Sequence, residues 1–111
     1  DSIPTSANQE DHNSMGSICA QKAWRVLRNT ETVLAIELLC AAQGLDFART
    51  MSGETPMKAG TGVEAAFAAI RRSVGRLGDD RVLYHDIQKA LRLVTEGTIL
   101  AGVEARIGPI R

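Results

Sequence analysis

The apolar positions of the first half of the chain follow a single helical pattern. Between residues 14 and 48, apolar side chains recur at helical spacing and no proline interrupts them, which predicts one long α-helix. At about 1.5 Å of rise per residue, this helix would be about 50 Å long, longer than a compact domain of this size is wide. The residues that carry the spacing include Cys19, Ala23, Leu34, Leu38, Ala41 and Leu45.

The centre of this predicted helix is apolar on every side. Between Ala35 and Ala42, Glu37 is the one residue that is not apolar, a pattern typical of a helix surrounded by other helices. The chain itself has few segments for that role. We therefore expect the surrounding helices to come from another chain or from a preceding part of the protein. Glu37 is either a buried functional carboxylate or, more commonly for such a residue, the partner of a cation on a neighbouring helix.

A linker and a second helix follow. Residues 49–60 contain one Ser, two Gly and one Pro, a composition typical of a linker. A second helix is predicted at about 62–77, because apolar residues form one stripe there. Thr61 and Glu64 have the spacing of a capping box at its start, and Gly78 supplies a stop at its end.

The remaining residues predict a third helix and a short fourth one. The third spans about 81–96, and Asp79 or Asp80 can cap its beginning. Residues 98–111 mix apolar and glycine residues, so a short helix at about 99–105 followed by an irregular tail is expected. The predicted fold class is all-α: one very long helix and shorter helices that form part of a larger bundle.

Composition and charge argue against several kinds of partner. The 111 residues contain 13 Lys and Arg and 13 Asp and Glu, so no net field attracts nucleic acid or an anionic membrane. No signal peptide, lipidation motif or run of eighteen apolar residues is present, which favours a cytoplasmic location. Cys19 and Cys40 would lie about 30 Å apart on one helix, so they cannot pair within it and free thiols are expected.

Two kinds of catalytic or metal site find little support. His12, Cys19 and His85 do not have the spacing of metal ligands, so no metal is expected. Ser14, His85 and Asp86 could form a Ser-His-Asp triad on paper, but no Gly-x-Ser-x-Gly turn is present to expose the serine.

The candidate chemistry lies in the first seventeen residues. A polar, turn-forming run leads to Gln9, Glu10, Asp11 and His12 just before the long helix, which is the arrangement of a loop that brings polar side chains to a helix N-terminus. Ser6 and Gln9 have capping-box spacing. The helix dipole favours the charged form of a carboxylate placed there, and such an anion can bind an ammonium or imidazolium group.

The order of residues in this run resembles a known family. Residues 2–12 read Ser-Ile-Pro-Thr-Ser-Ala-Asn-Gln-Glu-Asp-His, residues 14–16 read Ser-Met-Gly, and residues 33–39 read Val-Leu-Ala-Ile-Glu-Leu-Leu. These motifs resemble the C-terminal region of the histidine ammonia-lyases, which belong to the aromatic amino acid lyases and aminomutases. The resemblance covers nearly the whole chain. It implies that residues 1–111 are the C-terminal helical segment of a larger lyase, with residues 1–13 as its active-site loop.

The resemblance also implies a reaction and a cofactor. Histidine ammonia-lyases eliminate ammonia from L-histidine without oxidation and release urocanate. Their methylidene-imidazolone electrophile forms from an internal Ala-Ser-Gly, which is absent here; Met51-Ser52-Gly53 is the nearest sequence. The electrophile is therefore expected in the missing N-terminal part, and the fragment alone is expected to be inactive. The implied partners are the remainder of the lyase chain, three further subunits of a homotetramer and a small amino-acid substrate.

The site residues follow from the same resemblance. Glu10 matches the family's active-site glutamate, which lies beside the substrate and accepts a proton or contacts its amino or imidazole group. Gln9 is expected to neighbour the substrate, or else to serve only in a capping box. Asn8, Asp11 and His12 are expected to support the site. The alternatives are a first-turn acid that only stabilises the helix, a tyrosine or other aromatic ammonia-lyase or aminomutase, and a non-catalytic helical oligomerisation module.

Overall fold

The computed structural model describes Ala7, Gln9, residues 15–53 and residues 57–110. Within these residues the chain forms four α-helices and no strand, which confirms the all-α prediction and the very long first helix. The chain divides into two compact units, Asp1–Thr30 and Glu31–Arg111, and the boundary falls within the first helix. The helices are α1 (Gly16–Met51), α2 (Thr61–Ser73), α3 (Tyr84–Thr95) and α4 (Thr98–Ile107).

The first unit contains the N-terminal part of α1. The backbone N–H of Cys19 donates to the carbonyl of Met15 at 2.9 Å, and the Thr30 hydroxyl donates to the carbonyl of Val26, also at 2.9 Å. Large apolar side chains are exposed along this part of the helix. They are Ile18, Trp24, Val26 and Leu27.

The C-terminal end of α1 lies three residues beyond the predicted one. The helix continues to Met51, into the segment expected to be linker. Arg49 lies in its last turn, where a cation interacts favourably with the helix dipole. Gly53 then adopts a left-handed φ of +74°, a conformation in which glycine avoids the steric cost that a side chain would incur.

Helix α2 ends at Ser73, four residues before the predicted end, because a tertiary contact competes with the helical pattern. Val74 leaves the helical region with φ of −127° and ψ of 116°, and its side chain is buried. The backbone of Leu77 bonds to the Gln43 side chain of α1 instead: its N–H donates to Oε1 and its carbonyl accepts from Nε2, each at 3.1 Å. These bonds satisfy backbone groups that a longer helix would have used.

The predicted side-chain caps of α2 and α3 are wrong. Gly60 is the N-cap of α2 and Thr61 its first helical residue, with no side-chain capping bond. Leu83 is the N-cap of α3, again without such a bond, so neither Asp79 nor Asp80 has the expected role. Helix α4 is longer at both ends than the predicted 99–105 but confirms a short C-terminal helix.

The second unit has a small core, to which its part of α1 and helices α2 and α3 contribute buried residues. Helix α2 packs mainly against α4. A Cβ placed on Gly62 would lie 3.2 Å from Ile107 Cδ1 and 3.5 Å from Val103 Cγ1, so the absence of a side chain allows this close approach. The buried apolar residues are Ala35, Ala42, Ala69, Ile70, Val74, Ala90 and Leu93.

Exposed apolar side chains outnumber buried ones in the described part of the chain. Seventeen large apolar side chains are exposed, whereas seven apolar residues are buried and three of those seven are larger than alanine. Since burial of apolar surface is the main favourable term in folding, this surface is available for contact with further protein. None of the helices in residues 15–53 and 57–110 has the length and apolar character needed to cross a membrane.

Candidate functional site

The predicted active-site loop is described at two positions. Ala7 and Gln9 are exposed and each lies in a turn. The candidate catalytic residue Glu10 and the supporting residues Asn8, Asp11 and His12 lie outside the described residues. The structure therefore gives the backbone setting on either side of Asn8, and the geometry of the carboxylate stays a prediction.

Ala7 has an uncommon backbone conformation. Its φ is +54°, in the left-handed region that costs a residue with a Cβ about 1–2 kcal/mol. Residues held in such conformations cluster in active-site and ligand-binding segments, where surrounding structure compensates for the cost. The strained position lies three residues before Glu10, within the motif that resembles the family.

The start of α1 corrects the electrostatic argument for Glu10. The helix begins at Gly16 and has no acidic residue in its first turn. Glu10 therefore precedes the first helical residue by six positions, and Glu10 and Asp11 do not occupy the first turn of α1 as the capping pattern suggested. The macrodipole acts mainly within the first turn, so it provides no argument for the charge of Glu10 from α1 itself.

The best-defined polar geometry lies at the other end of α1. Arg49 donates through Nη2 to both carboxylate oxygens of Glu64, each at 2.7 Å, and the backbone N–H of Ala59 donates to Glu64 Oε1 at 2.8 Å. The Arg49 guanidinium also lies 4.2 Å from the centre of the Phe67 ring. The bond from Ala59 and the pairing with Arg49 lower the pKa of Glu64 below its ordinary value of 4.5.

A second ion pair joins α1 to α2. Arg71 donates through Nε to Asp46 Oδ2 at 3.0 Å, and its Nη2 lies 2.7 Å from the same oxygen. The two side chains are only 15% and 16% exposed, so this pair is partly buried. The sequence analysis did not predict this contact, because 25 residues separate the partners and no local spacing indicates their pairing.

A third ion pair organises the segment before α3. Arg81 donates through Nε to Asp86 Oδ2 at 2.8 Å, and its other nitrogens donate to the carbonyls of Gly75 and Arg76. Asp86 is the one buried charged residue in the described part of the chain. Asp86, which was considered for a Ser-His-Asp triad, is therefore the ion-pair partner of Arg81.

An open cavity of about 380 Å³ lies beside these pairs in the second unit. We call it the α1 groove. One wall is the α1 face that contains Ile36, Leu39, Cys40, Gly44 and Phe47, and the other is formed by residues 74–87. Among the described residues, no group of three or more His, Cys, Asp or Glu side chains is placed to hold a metal ion.

Comparison with known proteins decides the family. A family model described as aromatic amino acid lyase matches residues 1–72. The chain belongs to the aromatic amino acid lyase family. It is 47% identical over 111 residues to a histidine ammonia-lyase of Natranaerobius thermophilus, 49% over 110 residues to one of Sorangium cellulosum, and 51% over 110 residues to one of Symbiobacterium thermophilum.

These alignments cover 99–100% of this chain but only 20–21% of each relative. The chain thus spans about a fifth of the length of the curated relatives it matches. The matched range includes the whole predicted loop and α1. The resemblance read from residues 2–39 is confirmed, whereas the roles of Gln9 and Glu10 stay predictions.

Proposed function

We propose that this chain is the C-terminal segment of a histidine ammonia-lyase whose complete form converts L-histidine to urocanate and ammonia. The observation that carries the proposal is the 47–51% identity to three histidine ammonia-lyases along practically the whole chain. The family membership supports a carbon–nitrogen lyase. The substrate is proposed from the relatives' names and from the Gln-Glu-Asp-His sequence of the loop.

The loop of residues 1–13 is the proposed contribution of this segment to the active site. Glu10 is proposed to lie beside the substrate and to accept its proton or bind its amino or imidazole group. Gln9 can donate and accept at once, so it suits a substrate that has both kinds of group. Asn8, Asp11 and His12 are proposed to hold the loop in place. The strained backbone of Ala7 supports a loop with a specific conformation.

The electrophile is proposed to lie outside residues 1–111. Once formed from Ala-Ser-Gly, a methylidene-imidazolone group would supply the electron-poor centre that activates the substrate. The closest sequence, Met51-Ser52-Gly53, has Met where the tripeptide has Ala. Its Ser52 hydroxyl donates to the carbonyl of Arg49 at 3.0 Å and accepts the N–H of Met57 at 3.3 Å. Ser52 thus closes the end of α1, and the fragment alone is proposed to be inactive.

The proposed partners are the remainder of the lyase chain, identical subunits in a homotetramer and a small amino acid, in the cytoplasm. The exposed apolar side chains of α1 support contact with further protein. The same observation favours a second candidate, a non-catalytic helical assembly module. Lyases and aminomutases acting on tyrosine or phenylalanine are alternatives within the family.

The test is an assay of the complete protein from its natural gene with L-histidine, L-tyrosine and L-phenylalanine. Urocanate formation from L-histidine alone is expected, measured by ultraviolet absorbance and ammonia release. If none of the three amino acids releases ammonia, the lyase proposal is rejected and the assembly module remains as the candidate function. If only L-tyrosine or L-phenylalanine releases ammonia, the protein is a lyase for that amino acid.

Glu10→Gln tests the proposed catalytic residue. The amide keeps the size of the side chain but cannot accept a proton, so kcat is expected to fall about a hundredfold or more. Glu96→Gln, an exposed carboxylate between α3 and α4, is the matched control and should keep the wild-type rate. A Glu10→Gln protein within about threefold of wild type would reject the assignment of Glu10.

A further inference from the structure

The α1 groove presents one continuous helix face to its surroundings. Ile36, Leu39, Cys40, Gly44 and Phe47 are related by steps of three and four residues, so they share a face of α1. The opposite wall contributes Val74, Leu77, Leu83 and Ile87. Ile36, Phe47 and Leu83 are exposed large apolar side chains, so the edges of the groove are apolar as well as its floor.

The polar side chains of the groove are already bonded within the chain. Gln43 bonds the backbone of Leu77 in both directions, Arg71 pairs with Asp46, and Arg81 pairs with Asp86. A polar ligand could form hydrogen bonds with these side chains only by breaking their existing bonds. Breaking an ion pair would leave a partly buried charge unpaired. The groove therefore favours an apolar occupant.

The middle of the groove has room for a closely packed helix. A Cβ placed on Gly44 would have no heavy atom within 4 Å. The missing side chain lets another backbone approach α1 at this point, toward the short end of the range of about 8–10 Å between the axes of packed helices. Side chains of an approaching helix could then fill the cavity of about 380 Å³ on either side of Gly44.

We propose that the α1 groove is the docking site for an apolar helix face from the part of the lyase chain outside residues 1–111. The inference rests on the proposed function. Since the chain spans about a fifth of the length of its relatives, a complete lyase would contain roughly four times as much further chain from which such a helix can come. A segment of the same chain also has a higher effective concentration at the groove than any separate molecule, because it is covalently attached.

Cys40 reports whether the groove is filled. Cys40 is exposed in this chain and lines the groove. An occupant of the groove should therefore shield its thiol from reaction with maleimide. In the native complete protein, modification of Cys40, followed by peptide mass spectrometry, is expected to be at least a hundredfold slower than in the urea-unfolded protein. A rate within tenfold of the unfolded rate would show an open groove and overturn the proposal.

Gly44→Glu should break this protection. The space around Gly44 accommodates the new side chain and glutamate favours helix, but its charge opposes an apolar occupant. Cys40 modification in the complete protein is expected to rise at least tenfold. Gly102→Glu is the matched control, since Gly102 is also helical with nothing within 4 Å of a Cβ, and it should leave Cys40 protected. Unchanged protection in Gly44→Glu would overturn the proposal.

A cross-link identifies the occupant. Phe47 is replaced by the photoreactive p-benzoylphenylalanine in the complete protein. Its oligomers are assembled from a mixture of heavy-isotope and light-isotope chains. Cross-linked peptides in which both partners have the same isotope label are expected, because the occupant belongs to the same chain. Mixed-label products would show that a second copy fills the groove, and the absence of any product would show that nothing does; either result would overturn the proposal.

The assay with L-histidine on the same wild-type sample separates this inference from the proposed function. Urocanate formation together with an exposed Cys40 would remove the docking site and keep the lyase. A protected Cys40 with same-label cross-links but no ammonia from any substrate would keep intrachain docking and remove the lyase.

Discussion

Helices α1 and α2 differ in how they bury their apolar residues. Helix α1 has 36 residues and buries Ala35 and Ala42, whereas α2 has 13 residues and buries Ala69 and Ile70. The packing of α2 against α4 explains the difference, because it closes one apolar stripe over a short distance. The unequal burial teaches that α2 covers one apolar stripe by packing against its neighbour in this chain, while α1 exposes the surface on which the proposed larger enzyme would assemble.

The largest expected effect compares one buried residue of α2 with one exposed residue of α1. Ile70 is 3% exposed, so Ile70→Ala is expected to lower the free energy of unfolding of the complete protein by about 3 kcal/mol. Leu34 is 43% exposed in this chain, yet Leu34→Ala should cost about 2 kcal/mol in the complete protein if other segments cover it. Urea unfolding measures both. A cost below about 0.5 kcal/mol for Leu34→Ala would indicate a solvent-facing position and break the comparison.

A substitution in the loop should affect activity more than stability. Ala7→Val places a β-branched residue at φ of +54°, where it fits poorly, and the resulting loop shift should lower kcat/KM about tenfold, or about 1.4 kcal/mol. Ala7→Gly is the matched control, because glycine adopts this conformation readily, and should keep activity within about twofold. Steady-state kinetics with L-histidine measure both variants. Equal activity of the valine and glycine variants would show that the backbone of Ala7 has no role.

Two glycines measure how tightly the second unit is packed. Gly102 is helical with open space around it, so Gly102→Ala should raise the free energy of unfolding by about 0.5–1 kcal/mol through helix propensity. Gly62→Ala should raise the free energy of unfolding by less than Gly102→Ala, because the new Cβ would lie 3.2 Å from Ile107 Cδ1. Thermal unfolding compares the two. A larger gain at Gly62 would contradict the close approach of α2 and α4.

The smallest expected effect depends on pH. The lowered pKa of Glu64 means that its charged form stabilises the folded state, chiefly through the Ala59 N–H and then through Arg49. This contribution is complete above the ordinary value of pH 4.5 and is lost as the pH falls through the lower pKa of the folded protein. Wild type should therefore have a higher Tm than Glu64→Gln above pH 4.5, with a difference that shrinks on acidification. A difference that grows as the pH falls would contradict this account.

The helices were predictable because their apolar residues repeat locally, but several of their ends were not. The end of α2 depends on Gln43, which lies 34 residues from Leu77 and takes over its backbone hydrogen bonds. The entry to α3 depends on Arg81 pairing with Asp86 instead of on a capping Asp79 or Asp80. Such contacts join distant residues, and no periodicity in the sequence contains them.

The candidate site divides in the same way. The motifs at residues 2–12, 14–16 and 33–39 were sufficient to identify the family, and with it the prediction for Glu10, because each motif is a local sequence property. The sequence did not predict the α1 groove, because only the apolar character of α1 is visible in the residue pattern. Its second wall comes from residues 74–87, whose position depends on the ion pairs of Arg71 and Arg81.

The sequence by itself determined the all-α class, the long first helix and the family, since helical periodicity and a continuous motif are both encoded by neighbouring residues. Only the tertiary structure decided where α2 ends, which arginine pairs with which carboxylate, and which apolar residues of α1 remain exposed. The physical reason is that burial and ion pairing depend on residues brought together by folding, and the free energy of those contacts outweighs weak local preferences at helix ends.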